Sequence, residues 1–258
     1  MRAAAVGNAA FETAVSGPAA SGAAASGPSA SGPAATGPSA TGPSATGSSA
    51  LEPYEHALRT GGPVYLRRAD GRRHALDIAR WTAEPDAADR SMLVRCWGPT
   101  LDIGCGPGRL VAALVRRGTP ALGIDLAPAA VHLTVASGGA ALRRSVFDPL
   151  PGERRWGTAL LADGNIGIGG DPAALLTRTA ALLRDRGCLI VETEAEEPYA
   201  HERFAACVED ARGRTGAPFR WARLGVRALE GLAPACGFAV RETWTVGDRQ
   251  FAALVGAP

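Results

Sequence analysis

Cysteine is scarce in this sequence, and no two cysteines form a Cys-x-x-Cys pair. The five cysteines are widely spaced, at Cys96, Cys105, Cys188, Cys207 and Cys236. An odd number at such spacings predicts neither a disulfide framework nor a zinc site, and no bound metal is expected. The sequence also lacks a run of about 18 apolar residues, so we expect no membrane-spanning helix and no membrane partner.

Features of a secretory signal are missing from the first residues. Arg2 is the single cation there, and Gly7, Asn8 and Glu12 interrupt the apolar stretch. We therefore expect a cytoplasmic protein. The formal net charge of +2 is close to neutral. The arginines are scattered, without a basic stripe interleaved with aromatic residues, so a nucleic-acid partner is not expected.

Bulky apolar side chains are missing from residues 16–50, which repeat the five-residue theme Ser/Thr-Gly-Pro-Ser/Ala-Ala. Such a segment cannot offset the conformational entropy lost when its backbone is ordered. Glycine recurs every five residues rather than every three, which excludes collagen. Residues 1–50 are predicted to form a disordered tail that acts as a linker or spacer.

Residues 51–97 are predicted to form a small cap of helices and one hairpin. EPYEHALRT has the pattern of a short amphipathic helix, and Asp70-Gly71 is a turn signal between two short apolar runs. A second helix is expected from about Pro85 to Arg95. Because this stretch precedes the rest of the fold, it is expected to lie outside the main sheet.

Residues 98–258 alternate short apolar runs with helical patterns, which indicates an α/β fold with a mostly parallel sheet. The predicted strands are Thr100–Ile103, Ala121–Asp125, Ala141–Phe147, Thr158–Ala162 and Gly187–Glu192. Helices are predicted at Arg109–Arg117, Ala127–Ser137, Pro172–Asp185 and Arg223–Cys236. Only Gly247-Asp248 separates the last two strand-like runs. A turn this short joins antiparallel strands, so the sheet should end in an antiparallel hairpin.

One glycine-rich turn carries the functional prediction. In TLDIGCGPGRL, a strand leads into Gly104, Gly106 and Gly108 and then into a helix. Such a turn lets a ligand approach the backbone and presents free helix N–H groups at the edge of the sheet where ligands bind. A nucleotide is therefore the expected ligand, and a tight turn without any ligand is the alternative.

Two carboxylates near the turn narrow the choice of nucleotide. The glycine spacing departs from Gly-x-Gly-x-x-Gly, which disfavours a dinucleotide. Asp102 would repel a pyrophosphate and attract an ammonium group. Asp125 follows Gly104 by 21 residues, the distance at which an acidic side chain accepts ribose hydroxyls, although it could instead cap the next helix. A ligand with both a ribose and an amino-acid ammonium is S-adenosylmethionine.

The motifs LDIGCGPGRL, LGIDLAPAAV, SVFDPLP and LLRDRGCLIVE, with the terminal hairpin, make residues 98–258 resemble the class I S-adenosylmethionine-dependent methyltransferases. The resemblance implies a Rossmann-like, seven-stranded, mostly parallel sheet with an antiparallel C-terminal strand and helices on both faces. It also implies an enzyme that transfers the methyl group of S-adenosylmethionine.

The resemblance further implies a cofactor site built from three segments. The methionine part would be held by Asp102 and the glycine turn of Gly104, Cys105, Gly106 and Gly108. Asp125 would bind the ribose, with Leu126 beside the adenine. Asp148 would contact the adenine amino group, with Phe147 near its ring. Ordinary capping by Asp125 or Asp148, and core packing of Phe147, are the alternatives.

The segment ADGNIGIGGDP is expected on the acceptor side. Asp163 and Asn165 are the candidate catalytic residues, polar groups that would face the acceptor, with Asp163 also near the cofactor. A flexible loop without a role is the alternative. The segment lacks an Asn-Pro-Pro-Tyr run, which disfavours methylation of planar amino groups. Glu192 and Glu194 end a strand on the same side and could bind a cation or act as a base.

The acceptor is expected to be a small molecule. Tyr65 and Trp81 of the cap, together with Pro218–Trp221, could line an apolar pocket for it. A regulatory or scaffold protein that binds S-adenosylmethionine without transferring its methyl group is the second hypothesis, and a nicotinamide-dependent oxidoreductase is the third. The sequence leaves the acceptor and the oligomeric state open.

Overall fold

The computed structural model describes residues 50–256. Apart from Ala50, the predicted tail of residues 1–50 lies outside the described residues. The strands are β1 (Val64–Arg68), β2 (Arg73–Leu76), β3 (Thr100–Ile103), β4 (Ala121–Asp125), β5 (Ala140–Arg143), β6 (Trp156–Leu161), β7 (Leu183–Thr193), β8 (His201–Asp210), β9 (Phe219–Leu224), β10 (Phe238–Val246) and β11 (Arg249–Gly256). The α-helices are α1 (Glu52–Thr60), α2 (Ile78–Thr82), α3 (Ala87–Leu93), α4 (Arg109–Arg116), α5 (Pro128–Ala136), α6 (Pro172–Leu182) and α7 (Val226–Leu232).

Seven strands form the main sheet, in the order β10-β11-β7-β6-β3-β4-β5. The pairs from β7 to β5 are parallel, whereas β11 runs antiparallel to both β7 and β10. Thus the prediction of a mostly parallel, seven-stranded sheet with an antiparallel C-terminal strand is confirmed.

The central strands are buried, as expected for parallel strands covered by helices. All residues of β3 and β6 are buried. Helix α6 begins as the Asp-Pro sequence predicts, because the Asp171 carboxylate accepts hydrogen bonds from the backbone of Ala173 and Ala174. Because the central strands are packed on both faces, their carboxyl ends are held in fixed positions at one edge of the sheet.

A second sheet, here called the cap sheet, has the strand order β2-β1-β8-β9 and is antiparallel throughout. Its β1–β2 hairpin matches the prediction from Asp70-Gly71. The other two strands were not predicted. The helix expected from Arg223 is wrong at its start, because Arg223 and Leu224 pair with Glu202 and His201 and so end β9.

A small core beneath the cap sheet fixes it to the main fold. It joins α1, α5 and β8 through buried Ala57, Leu58, Ala127, Ala130 and Val208. Since α5 follows directly after β4, this contact holds the cap sheet near the carboxyl edge of the main sheet. The cap is thus an integral wall rather than an appendage.

Neither a membrane span nor a metal cluster occurs in the described part of the chain. Within residues 50–256, no helix combines the length and apolarity needed to cross a bilayer. All five cysteines lie in this part and are free. No group of three histidine, cysteine or acidic side chains within residues 50–256 is placed to hold a metal ion.

Candidate active site

A cavity of about 1090 Å³ opens between the carboxyl edge of the main sheet and the cap sheet. The glycine turn, the ends of β4 and β7 and the 163–169 segment line one side, and the cap sheet lines the other. Pockets for a single small ligand usually measure about 300–1,000 Å³. The cavity is therefore large enough for a nucleotide-sized ligand and a second molecule beside it.

The three glycines of the turn serve two purposes. All have positive φ, but only Gly104 and Gly106 line the cavity. Gly108 instead faces α5, where an added Cβ would lie 2.6 Å from Thr134 Oγ1 and 2.8 Å from Thr134 Cα. Gly108 therefore permits close packing of two helices. Gly104 likewise permits close packing, because a Cβ there would lie 2.6 Å from Asn165 Nδ2, whereas Gly106 leaves space for a ligand.

Asp102, at the middle of β3, is the most unusual group in the cavity wall. Its side chain is 2% exposed, and its Oδ2 accepts no hydrogen bond from residues 50–256. Burial, together with the nearby negative charge of Asp163, raises the pKa of the carboxyl from 3.8 to about 7. An unsatisfied buried acceptor costs about 1–3 kcal/mol, so this atom is suited to a donor that a ligand supplies.

Asp125 ends β4, and its carboxylate connects the glycine turn to the residue before α5. Its Oδ2 accepts a hydrogen bond from Gly106 N at 2.9 Å, and its Oδ1 accepts one from Ala127 N at 2.8 Å. Burial raises the pKa of this carboxyl above its usual value. Since each carboxylate oxygen has two acceptor sites, Asp125 can cap its helix and still accept hydrogen bonds from a ligand.

Leu126 and Phe147 border the same end of the cavity, where their side chains are 53% and 45% exposed. Exposed apolar side chains in a cavity wall are suited to a planar ligand. Asp148 does not line the cavity, and the geometry does not support its predicted adenine contact. Its carboxylate accepts a hydrogen bond from Ser145 N at 3.1 Å and closes a local turn, whereas Ser145 itself lines the cavity.

Cys105 borders the cavity, but its side chain packs into the core. Its Sγ lies 3.8 Å from Thr134 Oγ1, and a Cβ on Gly123 would come within 2.5 Å of that sulfur. Burial raises the pKa of the thiol well above its usual value, so it stays protonated. The side chain therefore contributes packing, and the backbone contributes to the turn.

The Asn165 side chain holds the start of the glycine turn through two hydrogen bonds. Its Nδ2 donates to Ile103 O at 3.0 Å and to Gly104 O at 2.9 Å. It begins a 3₁₀ segment, Asn165–Gly170, that packs against β9. A Cβ on Gly167 would lie 2.6 Å from Trp221 Nε1, so this glycine allows the cap sheet to approach rather than a ligand.

Asp163 lies among three arginines. Its carboxylate is 2.7 Å from Arg80, 3.1 Å from Arg109 and 3.4 Å from Arg249. Its backbone N–H donates to Glu192 Oε2 at 2.6 Å. Because the cations occupy its oxygens, this geometry is suited to holding neighbouring side chains in place.

The same arginines join a larger group, here called the arginine network: Arg80, Arg109, Arg249, Asp89, Asp163 and Glu192. Arg249 pairs with Glu192 at 2.7 Å and with Asp89 at 2.9 Å. Arg109 pairs with Asp89 at 2.7 Å, and both side chains are almost completely buried. Glu194 is likewise paired, with Arg223 at 2.7 Å. The network ties α2, α3 and α4 to the ends of β6, β7 and β11.

The sequence predicted Asp163 and Glu192 as site residues, but neither the arginines that pair with them nor Tyr54. Tyr54 of α1 reaches the glycine turn, since a Cβ on Gly106 would lie 3.3 Å from its hydroxyl. Burial raises the pKa of that hydroxyl well above its usual value, so it remains a hydrogen-bond donor. The one sequence signal for these arginines is Arg109, which stands at the position of the last glycine of a Gly-x-Gly-x-x-Gly motif.

The cap sheet and α2 supply the opposite wall. Trp81, Phe219 and Trp221 line the cavity, as expected, but Tyr65 does not. Neighbouring residues of a strand point to opposite faces, and Leu66 faces the cavity. The Tyr65 ring instead lies under the Arg73 guanidinium, 5.4 Å from the ring centroid.

Comparisons with solved structures show the fold. An S-adenosylmethionine-dependent methyltransferase from Bacteroides fragilis, solved with S-adenosylhomocysteine, is 21% identical, with a TM-score of 0.66 over 81% of this chain and 97% of that chain. The 1,6-didemethyltoxoflavin-N1-methyltransferase of Burkholderia thailandensis is 21% identical, with a TM-score of 0.50 over 69% and 81% of the two chains. The CcbJ methyltransferase of Streptomyces caelestis is 14% identical, with a TM-score of 0.54 over 69% and 92%.

The main sheet of this chain thus has the class I Rossmann-like methyltransferase fold that the sequence motifs predicted. No family model matches the chain, and no curated protein matches it. A fold alone does not determine a function, which depends here on the geometry of the cavity.

Proposed function

We propose that the chain is an S-adenosylmethionine-dependent methyltransferase that acts on a small-molecule acceptor. The observation that carries the proposal is the buried, unsatisfied carboxylate oxygen of Asp102 beside the glycine turn. An anion with a raised pKa is costly to keep in an apolar sheet, and a ligand ammonium would offset that cost.

The residues present fit S-adenosylmethionine part by part. Asp102 and the turn of Gly104 to Gly106 would hold the methionine end, and Asp125 has free acceptor sites for the ribose hydroxyls. Leu126 and Phe147 would enclose the adenine. A dinucleotide fits less well, because the Asp102 carboxylate would repel a pyrophosphate at the turn.

When bound, S-adenosylmethionine supplies a methyl group on a sulfonium, and the C–S electron pair stays on sulfur as the acceptor's lone pair forms the new bond. The chain's residues chiefly position the reactants. We propose that Asn165 fixes the turn and Asp163 fixes the arginine network, so that both act as positioning residues. This assignment replaces the catalytic role that we predicted for their side chains.

Two further observations favour transfer to a second molecule over a binding protein without activity. The cavity extends beyond the glycine turn to the cap sheet, and its volume lies at the upper end of the range for ligand pockets. The Burkholderia thailandensis structure contains 1,6-didemethyltoxoflavin together with S-adenosylhomocysteine. A similar pairing here would place a small acceptor against the cap sheet.

Replacing Asp125 with asparagine tests the nucleoside half of the site. We expect Asp125→Asn to weaken adenosine and S-adenosylhomocysteine alike, by about tenfold, because a charged acceptor for the ribose hydroxyls is lost. Isothermal titration calorimetry measures both affinities. Asp148→Asn is the matched control, since that carboxylate lies off the cavity, and it should change neither affinity. Equal effects of the two variants, or normal binding by Asp125→Asn, would contradict the assignment.

A further inference from the structure

Aromatic side chains dominate the cap side of the cavity. Phe204 and Trp221 are register partners on β8 and β9, and Phe219 meets Trp221 edge to face with ring centroids 5.9 Å apart. Trp81 packs in the same small core as Phe219 and meets Tyr54 edge to face at 6.1 Å. Rings arranged in this way bind planar aromatic molecules through their faces and edges.

On the four strands of the cap sheet, the charged side chains that line the cavity are all cationic, whereas Asp77, which follows β2, adds one carboxylate to the lining. Within the described residues 64–76 and 201–224, the cavity-lining side chains include five arginines and no carboxylate: Arg68, Arg72, Arg73, Arg220 and Arg223. Four of these pair with acidic residues, whereas Arg220 makes no ion pair within residues 50–256. The wall therefore favours an anionic ligand over a neutral or cationic one.

Two donors near this wall make no hydrogen bond within residues 50–256: the buried atoms Trp81 Nε1, on α2, and Arg68 Nε, on β1. Arg68 Nε lies 3.5 Å from Asp70 Oδ2, an ion-pair contact without hydrogen-bond geometry. The Arg68 guanidinium lies 4.0 Å from the centroid of the Phe204 ring, which places it among the aromatic side chains. Because buried donors are nearly always satisfied in folded proteins, these two are suited to an oxygen of a bound molecule.

We infer that the acceptor is a planar aromatic compound carrying a carboxylate or an equivalent anionic oxygen, bound against the cap sheet. The inference rests on the proposed methyl transfer and names its substrate class. Aromatic side chains select the ring, the arginines select the anion, and the Trp81 and Arg68 donors bind its oxygen. Aliphatic acids and neutral aromatic compounds each lack one of these features.

Three matched probes test the inference on the full chain saturated with S-adenosylhomocysteine. They are 2-naphthoate, 2-naphthylmethanol and cyclohexanecarboxylate, each titrated calorimetrically at pH 7.5. We expect 2-naphthoate to bind at least tenfold more tightly than either of the others. Equal affinity for the alcohol overturns recognition of the anion, equal affinity for the aliphatic acid overturns recognition of the ring, and absence of naphthoate binding overturns both.

Two variants of cavity-lining residues and one control variant test whether 2-naphthoate binds against this wall. Arg220→Gln alters an exposed side chain without an ion pair, so the fold should be unaffected, and it should weaken 2-naphthoate at least fivefold. Arg241→Gln on β10, exposed and outside the cavity, is the matched control and should leave the affinity unchanged. Trp81→Phe, which keeps a ring and removes the donor, should also weaken 2-naphthoate. Loss of affinity in the control, or full affinity in both cavity variants, overturns the assignment.

Failure of this inference is distinguishable from failure of the proposed function. Titration with S-adenosylhomocysteine alone reports the cofactor site, whatever the probes do. Absence of that binding would defeat the methyltransferase proposal, whereas normal binding with no preference among the three probes would defeat only the acceptor class.

Discussion

Asp102→Asn is expected to weaken S-adenosylhomocysteine binding by about 1.5–3 kcal/mol, roughly 10- to 150-fold in Kd, while leaving adenosine binding unchanged. The variant removes the one buried acceptor that has no partner within residues 50–256. The two ligands differ in the amino-acid part, so the ratio of their affinities isolates the contact with the ammonium group. Isothermal titration calorimetry at pH 8 measures both.

The pH dependence gives the same prediction a second readout. With its pKa near 7, Asp102 is largely protonated at pH 6 and ionised at pH 8. The ligand ammonium stays charged over this range and binds the ionised form, so wild-type affinity for S-adenosylhomocysteine should be about tenfold weaker at pH 6 than at pH 8. Asp102→Asn should lose this dependence. Adenosine serves as the control. It lacks the amino-acid part, so any pH dependence of its binding would come from Asp125 rather than from Asp102.

The free energy of unfolding of the ligand-free chain should fall as the pH rises, whereas the affinity for S-adenosylhomocysteine should increase. The folded chain holds a proton on Asp102 up to about pH 7, whereas the unfolded chain releases it near 3.8. The Asp102 contribution to the free energy of unfolding is therefore fully present below about pH 4 and is lost as the pH rises through 7. An Asp102→Asn variant that retained the wild-type pH dependence of both binding and stability would contradict our account of this residue.

Arg109→Met should destabilise the fold by about 3–5 kcal/mol. Arg109 is 7% exposed, and its partner Asp89 is 0% exposed. Without the Arg109 guanidinium, the only cation within residues 50–256 that contacts Asp89 is Arg249, at 2.9 Å. Asp163 loses one of its three cationic partners. Because Arg249 still contacts both carboxylates, we expect the lower end of the range. Urea denaturation, followed by circular dichroism, measures the free energy of unfolding.

Arg116→Met in the same helix is the matched control. Arg116 pairs with Glu84 at 2.6 Å, but the two side chains are 53% and 81% exposed. A solvent-exposed ion pair contributes about 0–1 kcal/mol, so the control should remain near wild-type stability. Similar losses in the two variants would mean that burial of the Arg109 pair does not govern its contribution.

The sequence predicts well where a structural feature is local. The observed bounds of β3 and β4 equal the predicted ones. Each is a short apolar strand followed directly by a turn, and glycine or aspartate in the sequence marks that turn. Both hairpins match for the same reason. The two-residue turn Gly247-Asp248 determines the pairing of β10 with β11, and a short connection that contains Asp70-Gly71 joins β1 to β2.

Features that depend on distant residues could not be predicted in this way. Strand β8 pairs with β1, and neither segment contains a pattern that identifies the other. The arginine network likewise brings Arg249 to Asp163 across 86 residues. Asp148 is a different case, because its partner is local: the carboxylate closes a turn with Ser145 and does not point into the cavity, which was the capping alternative to the adenine contact.

This cavity is expected to bind an adenosyl amino acid and not a dinucleotide. Isothermal titration of the purified chain with S-adenosylmethionine, S-adenosylhomocysteine and NAD distinguishes the two classes of ligand. We predict micromolar binding of the first two with one site per chain, and no binding of NAD. Binding of NAD without binding of either adenosyl ligand would contradict the account and leave the Asp102 carboxylate without a partner.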